Sequence, residues 1–314
     1  MSTSGEVMFE RIAIIGIGLI GSSISHAARR ANIAKDIVGA SATPATRAKA
    51  QELGLVSKAY ANAAEAVEGA DLVILCTPVG VLGKIAAEIG PRLKPGAILT
   101  DVGSVKGAVV RDIAPHVPAG VHFIPGHPIA GTEQSGPESG FAKLFDGRWC
   151  ILTPEPDADR LAVARLETFW QRLGSKVELM SAEHHDMVLA ITSHVPHLIA
   201  FNIVNTAAHL ARVTDSEVIK FSAGGFRDFT RIAASDPVMW RDVFLNNKDA
   251  VLEMLGRFSE DLVTLQRAIR FGDGETLERL FGEARAVRRG IIQAGQDTAT
   301  PDFGRRAPPG EASS

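Results

Sequence analysis

The chain has 314 residues, 46% of them hydrophobic and 22% charged, with a formal net charge of −3. That length predicts two domains rather than one, and the near-neutral charge argues against nucleic acid as an obligate partner. The only cysteines, Cys76 and Cys150, fit no disulfide framework and no metal-binding spacing, the first ten residues lack a basic and apolar leader, and no run reaches about 18 uninterrupted apolar residues. A cytoplasmic protein without a membrane span is expected.

Residues 11–15 form a short β-branched run that leads straight into Gly16-Ile17-Gly18-Leu19-Ile20-Gly21, and a helix-compatible segment covers 22–30. Gly16 permits a tight turn off the strand, Gly18 lets backbone approach a pyrophosphate, and Gly21 lets the helix pack against the sheet. The amides at the helix start, from Leu19 and Ile20 onward, then face the phosphates. A plain strand-to-helix turn would use the same glycines, but the flanking strand and helix favour a nicotinamide or flavin dinucleotide.

Strands are predicted at 36–41, 71–76, 97–101 and 121–124. Helices separate them, one opening at Thr43-Pro44 and running to Leu53, one at 81–89 and one at 105–113. Residues 149–152 and 176–180 read as further strands at the far edge of the same sheet. Short apolar strands alternating with helices imply a doubly wound, Rossmann-type α/β fold with a parallel sheet covered on both faces, and ligands at the carboxyl ends of its strands.

From Ser181 onward strand-like runs vanish. Val251, Leu255, Phe258, Leu262, Leu265 and Ile269 form one apolar stripe on a long helix, suited either to packing in its own domain or to a dimer interface. A last helix is expected over 275–294, stopped at Gly295. The reading is thus a dinucleotide-binding domain over 1–180, an all-helical domain over 181–297 and a disordered tail over 298–314.

At the end of the second strand, where an NAD-specific site carries Asp or Glu, the chain has Ser41, then Ala42 and Thr43, with Arg47 one turn into the helix. Asp36 begins that strand, too early for the role. Without a carboxylate nothing repels a 2′-phosphate, and Ser41, Thr43 and Arg47 suit one. Either NAD or NADP is expected as cofactor.

Two polar segments at strand ends carry the expected chemistry, Thr100-Asp101-Val102-Gly103-Ser104-Val105-Lys106 and 124–136. Gly126 and Pro128 flank His127 and hold its imidazole in one direction, so it can take a proton from a substrate hydroxyl as hydride leaves the same carbon. Ser104 either orients that hydroxyl or the nicotinamide, or caps the following helix. Downstream, 224–231 is glycine-led, basic and aromatic. Arg227 there either grips a carboxylate or pairs with Asp228. His194 and His197 lie three apart on a helix expected to kink at Pro196, and no metal site is expected from them. His184-His185-Asp186 reads as the solvated first turn of a helix capped by Ser181.

Assembled, these motifs resemble the prephenate/arogenate (cyclohexadienyl) dehydrogenases of tyrosine biosynthesis over roughly residues 11–294. The most specific pieces are 101–106, 126–131, 193–197, 225–231 and Met239-Trp240-Arg241. The resemblance implies NAD(P)-dependent oxidative decarboxylation of prephenate or arogenate by a homodimer whose helical domains intertwine. It makes His127 the catalytic base and Ser104 its partner on the ring hydroxyl and at the nicotinamide. Arg231 becomes the carboxylate-binding arginine, His197 a second active-site histidine, Glu133 a gating acid and Trp240 a pocket wall. Thr77 and Pro78, at the end of the third predicted strand, join the coenzyme set with Gly16, Gly18, Leu19, Ile20, Gly21, Ser41, Thr43 and Arg47. Many members carry Asp where this chain has Ser41, which leaves the choice between coenzymes open.

Two alternatives compete. A β-hydroxyacid-type dehydrogenase needs a lysine on the first helix of the second domain, and 183–210 contains none. A non-catalytic NADPH sensor needs no pre-positioned His127 and Ser104.

Overall fold

The computed structural model describes residues 6–132, 134–209 and 224–293. Six parallel strands form one sheet in the order β3-β2-β1-β4-β5-β6, with β1 Phe9–Ile15, β2 Ala34–Ala40, β3 Ala59–Tyr60, β4 Leu72–Leu75, β5 Ile98–Asp101 and β6 His122–Phe123. The two-residue β3 escapes sequence reading because it is too short to show a period. Side chains alternate between faces along each strand. On β1, Ile12 and Ile14 enter one buried cluster and Ala13 and Ile15 the other. The first cluster is closed by α1 (Leu19–Arg30) and α6 (Arg160–Leu173), the second by α4 (Leu82–Ile89) and α5 (Lys106–Ile113). Burial of both faces is why these strands read as unbroken apolar runs. Helices α2 (Pro44–Glu52) and α3 (Ala63–Ala66) complete the alternation.

The segments expected at the far edge of the sheet belong elsewhere. β7 (Gly126–Pro128), β8 (Trp149–Leu152) and β9 (Lys176–Leu179) form a separate three-stranded sheet, β7 antiparallel to β8 and β8 parallel to β9. Pro125 breaks the run between β6 and β7, and Pro128, lacking an N–H, lies at the end of β7 where a ladder donor is dispensable. His127 is therefore a strand residue, opposite Ile151, and not part of a loop.

Beyond β9, α7 (Ala182–Leu189) passes through a π-helical turn, Ala190–His194, into α8 (Val195–His209). Pro196 has no N–H and its ring crowds the carbonyl four residues back, so the widened turn just before it relieves the misfit expected as a kink. Ala182–His209 is 28 residues long and contains an 18-residue window with a mean hydropathy of 1.6, long and apolar enough to cross a membrane by length and composition. Thr192, Ser193, His194, His197 and Asn202 interrupt it, so it shows no uninterrupted apolar run. The 224–231 segment, read as a glycine-led turn, is instead α9 (Gly224–Thr230) followed by a 3₁₀ turn, Arg231–Ala234. Then come α10 (Pro237–Asn246), α11 (Lys248–Phe271) and α12 (Gly274–Gln293).

The chain divides into two compact units within α11, after Val251. In the second unit α11 and α12 leave large apolar side chains exposed, among them Val263, Ile269, Phe271 and Val287. The expected tail over 298–314, the stop at Gly295 and Glu133 lie outside the described residues.

Candidate active site

The coenzyme segment has the geometry that its glycines predict. Gly16 has φ +98°, and a Cβ there would meet the Cys76 carbonyl oxygen at 2.6 Å. A Cβ on Gly21 would lie 2.2 Å from the Gly16 oxygen, so helix and strand touch at that point. A Cβ on Gly18 would meet nothing within 4 Å: this glycine faces open space, as it must where a pyrophosphate approaches. No side chain caps α1 at Gly18 and no acid lies in its first turn, which leaves the dipole of a 12-residue helix unneutralised. Thr77, next to Gly16 just past the end of β4, keeps a buried hydroxyl with no hydrogen-bond partner among the described residues. These features fit a dinucleotide whose phosphates lie over Gly18, Leu19 and Ile20 with Thr77 and Pro78 beside them.

At the end of β2, Arg47 folds back and donates from Nη1 to the carbonyls of Ser41 and Ala42, at 2.7 and 2.9 Å. Thr43 is the N-cap residue of α2, yet its side chain makes no capping bond. Guanidinium and hydroxyl thus cluster where a carboxylate would mark NAD. Asp36 is occupied at the far end of the strand by Arg11, at 2.9 Å.

Beside the next strands a buried ion pair sets the catalytic segment. Asp101 ends β5 and Lys106 opens α5; both side chains are fully buried, with Nζ 2.5 Å from Oδ2. Lys106 Nζ also donates to the Gly126 carbonyl at 2.5 Å, and the Gly126 N–H donates to Asp101 Oδ1 at 3.1 Å. The residue before His127 is therefore gripped on both its amide and its carbonyl. Burial pushes the Lys106 ammonium below its ordinary pKa, and Asp101 pulls it back.

His127 is 9% exposed, and its Nδ1 lies 2.8 Å from Nε2 of His185. His185 Nδ1 is in turn 2.8 Å from Asp186 Oδ1. Asp186 accepts from the backbone N–H of Lys106 (2.7 Å) and of Gly107 (2.8 Å). These bonds correct one expectation and decide between two alternatives left open for Ser104. His185 and Asp186 are buried rather than solvated, although Ser181 does cap α7 by accepting from the His184 N–H. The cap of α5 is Asp186: its N-cap residue is Val105, and no side chain at that position makes a capping bond, so Ser104 is not spent on the helix. Burial, then the nearby charges of His185, Lys106 and His194, holds the His127 pKa well below the usual histidine value.

The helical half adds a second group. His197 stacks on Trp240 with ring centroids 3.7 Å apart, and its Nδ1–H donates to the Ser193 carbonyl at 2.9 Å, leaving Nε2 as an acceptor. Burial lowers the pKa of His197, its hydrogen bond to the Ser193 carbonyl opposes the shift, and the positive charge of Arg231 lowers it further. The turn Arg231–Ala234 packs on α8, the helix that carries His197. Asn247 joins the two groups: its Nδ2 donates to the Asp186 carbonyl (2.9 Å) and to His194 Nδ1 (3.0 Å). The buried His194 Nε2 and Trp240 Nε1 have no hydrogen-bond partner among the described residues, as is usual for polar atoms completed by water or a ligand. Arg227 is not in this group; it pairs with Asp228 on the surface, both about 73% exposed.

Sequence reasoning singled out His127, Ser104, His197, Arg231 and Trp240 but passed over the contacts of Asp101, Lys106, His185, Asp186 and Asn247. One signal was present: His185 and Asp186 share a helix face with the buried Leu189 and Ala190, four residues on.

The family model for the prephenate dehydrogenase nucleotide-binding domain matches residues 24–179, and that for its dimerization domain matches 181–283. The chain belongs to the prephenate dehydrogenase family. It is 40% identical to the cyclohexadienyl dehydrogenase of Zymomonas mobilis over 283 residues, covering 90% of this chain and 96% of that protein. With the prephenate dehydrogenase of Bacillus subtilis the identity is 33% over 285 residues, 90% of this chain and 76% of the other. Among solved structures, prephenate dehydrogenase from Aquifex aeolicus in complex with hydroxyphenyl propionate and NAD+ aligns with TM-score 0.84 and 35% identity, covering 91% of this chain and all of that one. Arogenate dehydrogenase from Synechocystis aligns with TM-score 0.75 and 29% identity, covering 90% and 99%. A 3-hydroxyisobutyrate dehydrogenase shares the fold alone, at 14% identity. The protein is thus an oxidoreductase with the nucleotide-binding and dimerization domains of this family, acting on a small molecule.

Proposed function

We propose that the protein oxidises prephenate to 4-hydroxyphenylpyruvate, arogenate to tyrosine, or both, with His127 as the base. The observation that carries the reading is the union of family membership with a buried imidazole that touches His185 and follows a Gly126 clamped to Lys106 and Asp101 at the carboxyl end of β5. The bound nicotinamide supplies the hydride acceptor. His127 Nε2 takes the C4 hydroxyl proton as hydride leaves that carbon, and Ser104 holds the same oxygen. The carbonyl so formed lies para to the ring carboxylate. Cleavage of the bond to carbon dioxide sends its electron pair into the ring, and the proton returns from His127 to the phenolate oxygen. Aromatisation drives the step, so the protein needs only to position, desolvate and move one proton. Arg231 holds a substrate carboxylate against the His197–Trp240 wall; Arg227, in its surface pair with Asp228, is the weakest of the substrate residues. Glu133 keeps the gating role that the resemblance gives it. The reading makes the enzyme a cytoplasmic homodimer, a second copy covering the exposed apolar side chains of the helical region.

Absorbance at 340 nm with each substrate and each of NAD and NADP tests this directly. Substrate-dependent reduction is expected with at least one pair. Coenzyme binding without turnover on either substrate would favour the sensor. His127→Asn should lower kcat by about 100-fold or more, the scale for loss of a general base; near-normal turnover would remove His127 from the role.

A further inference from the structure

The mechanism above uses one atom of His127, yet the other ring nitrogen is engaged just as firmly. A carboxylate only accepts hydrogen bonds, so the Asp186 Oδ1 contact requires the proton of His185 on Nδ1. His185 is fully buried, and burial, its largest influence, lowers its pKa, so at neutral pH it carries that one proton. Its Nε2 is then a lone pair, and it must accept from His127 Nδ1–H across their 2.8 Å contact. His127 is left with its lone pair on Nε2. The whole tautomer sequence follows from Asp186, which is itself fixed by the two backbone amides at the start of α5.

We propose that His185 and Asp186 are positioning residues of the reaction, an acid–imidazole–imidazole chain that fixes the protonation pattern of His127 and turns its Nε2 lone pair toward the substrate hydroxyl. The inference rests on His127 being the base and says how it is made one. Buried among Lys106, His185 and His194, a lone imidazole would hold a proton poorly. A carboxylate one ring beyond it offsets the charge that His127 gains when the hydroxyl proton moves to Nε2. The proton stays on His127 until it returns to the phenolate, and none crosses to His185. Elsewhere such a chain ends in one histidine, and reversing its polarity by removing the acid costs several orders of magnitude in turnover through the wrong tautomer.

Two measurements on the full-length enzyme test it. Nitrogen-15 spectra of the wild-type protein at neutral pH should show His127 protonated at Nδ1 and bare at Nε2; the opposite pattern overturns the proposal without any mutation. In kinetics, His185→Phe removes the acceptor while keeping an aromatic ring, and His185→Gln replaces it with an amide oxygen. His185→Phe should lower kcat by about 10- to 100-fold, with KM for substrate and coenzyme unchanged. The acid limb of its pH profile should move to lower pH, because the compensating acid is disconnected while the charges of Lys106 and His194 still act on the ring, Asp101 stays paired with Lys106 and Cys150 meets only the His127 backbone. His185→Gln should recover most of the loss. Equal losses in both variants mean packing alone and overturn the proposal, as does wild-type kcat in His185→Phe. If His127→Asn is inactive while His185→Phe is fully active, only the chain falls; if His127→Asn itself turns over, the base assignment falls first.

Discussion

Replacing Lys106 by Met should unseat the catalytic strand, and the size of the effect follows from what the ammonium touches. It is fully buried, pairs with Asp101 at 2.5 Å and supplies a donor to the Gly126 carbonyl. Methionine matches its volume but leaves Asp101 as an uncompensated buried charge, a loss of about 3–5 kcal/mol. For a chain of this size each kcal/mol lowers Tm by about 2 °C, so a drop of about 6–10 °C is expected by calorimetry or fluorescence at pH 7. Because Gly126 precedes His127, kcat should fall as well at temperatures where the variant is folded. The double variant Asp101→Asn/Lys106→Met carries neither charge and should regain roughly half of the lost stability without regaining kcat. A Tm within about 2 °C of wild type for Lys106→Met would mean that the pair is not what holds β7 against β5.

Gly18→Ala should leave Tm within about 1 °C, since its Cβ meets open space, yet weaken coenzyme binding measured by fluorescence quenching; Gly21→Ala, with a Cβ 2.2 Å from a backbone oxygen, should lower both, and equal stability losses would refute the division of labour. Arg47→Ala should raise KM for NADP more than for NAD, and a proportionate change in both would show that the guanidinium serves only the loop carbonyls. Arg231→Ala should raise substrate KM with kcat little changed, and an unaltered KM would place the carboxylate elsewhere. His194 is held neutral with its pKa lowered from 6.5 to about 4, so as pH falls through 6.5 the unfolded chain binds a proton that the folded one refuses. Stability is therefore full above 6.5 and is lost toward pH 4, by about 3 kcal/mol from this residue, with His127 and His185 adding in the same direction. Urea midpoints that stay flat from pH 7 to 5, or a slope unchanged in His194→Gln, would contradict this.

The parallel sheet was legible because both its faces are buried, which writes β1, β4 and β5 as unbroken apolar runs bounded by Gly and Pro. The glycine turn was legible because each glycine answers a separate steric demand. What escaped was pairing between segments distant in sequence. Nothing local says that 149–152 leaves the main sheet to pair with 126–128; that depends on Pro125 breaking the chain direction and on Lys106 and Asp101 seizing Gly126. The histidines at 184 and 185 look alike in sequence, and only the helix phase separates the exposed one from the one against His127. Ser104 shows the same limit: a serine before a helix suggests a cap, but the cap comes from Asp186, eighty residues on.

The widened turn at Ala190–His194 amounts to one additional amino acid wedged into an otherwise regular rod. One residue of α-helix is about 100° of rotation. Everything downstream of the wedge is thereby re-aimed by more than a quarter of a circle, which brings the ring at position 197 onto Trp240 while that at 194 meets Asn247. Excising a single residue there would restore ordinary spacing, and the whole of α8 would swing its imidazole off the indole at once.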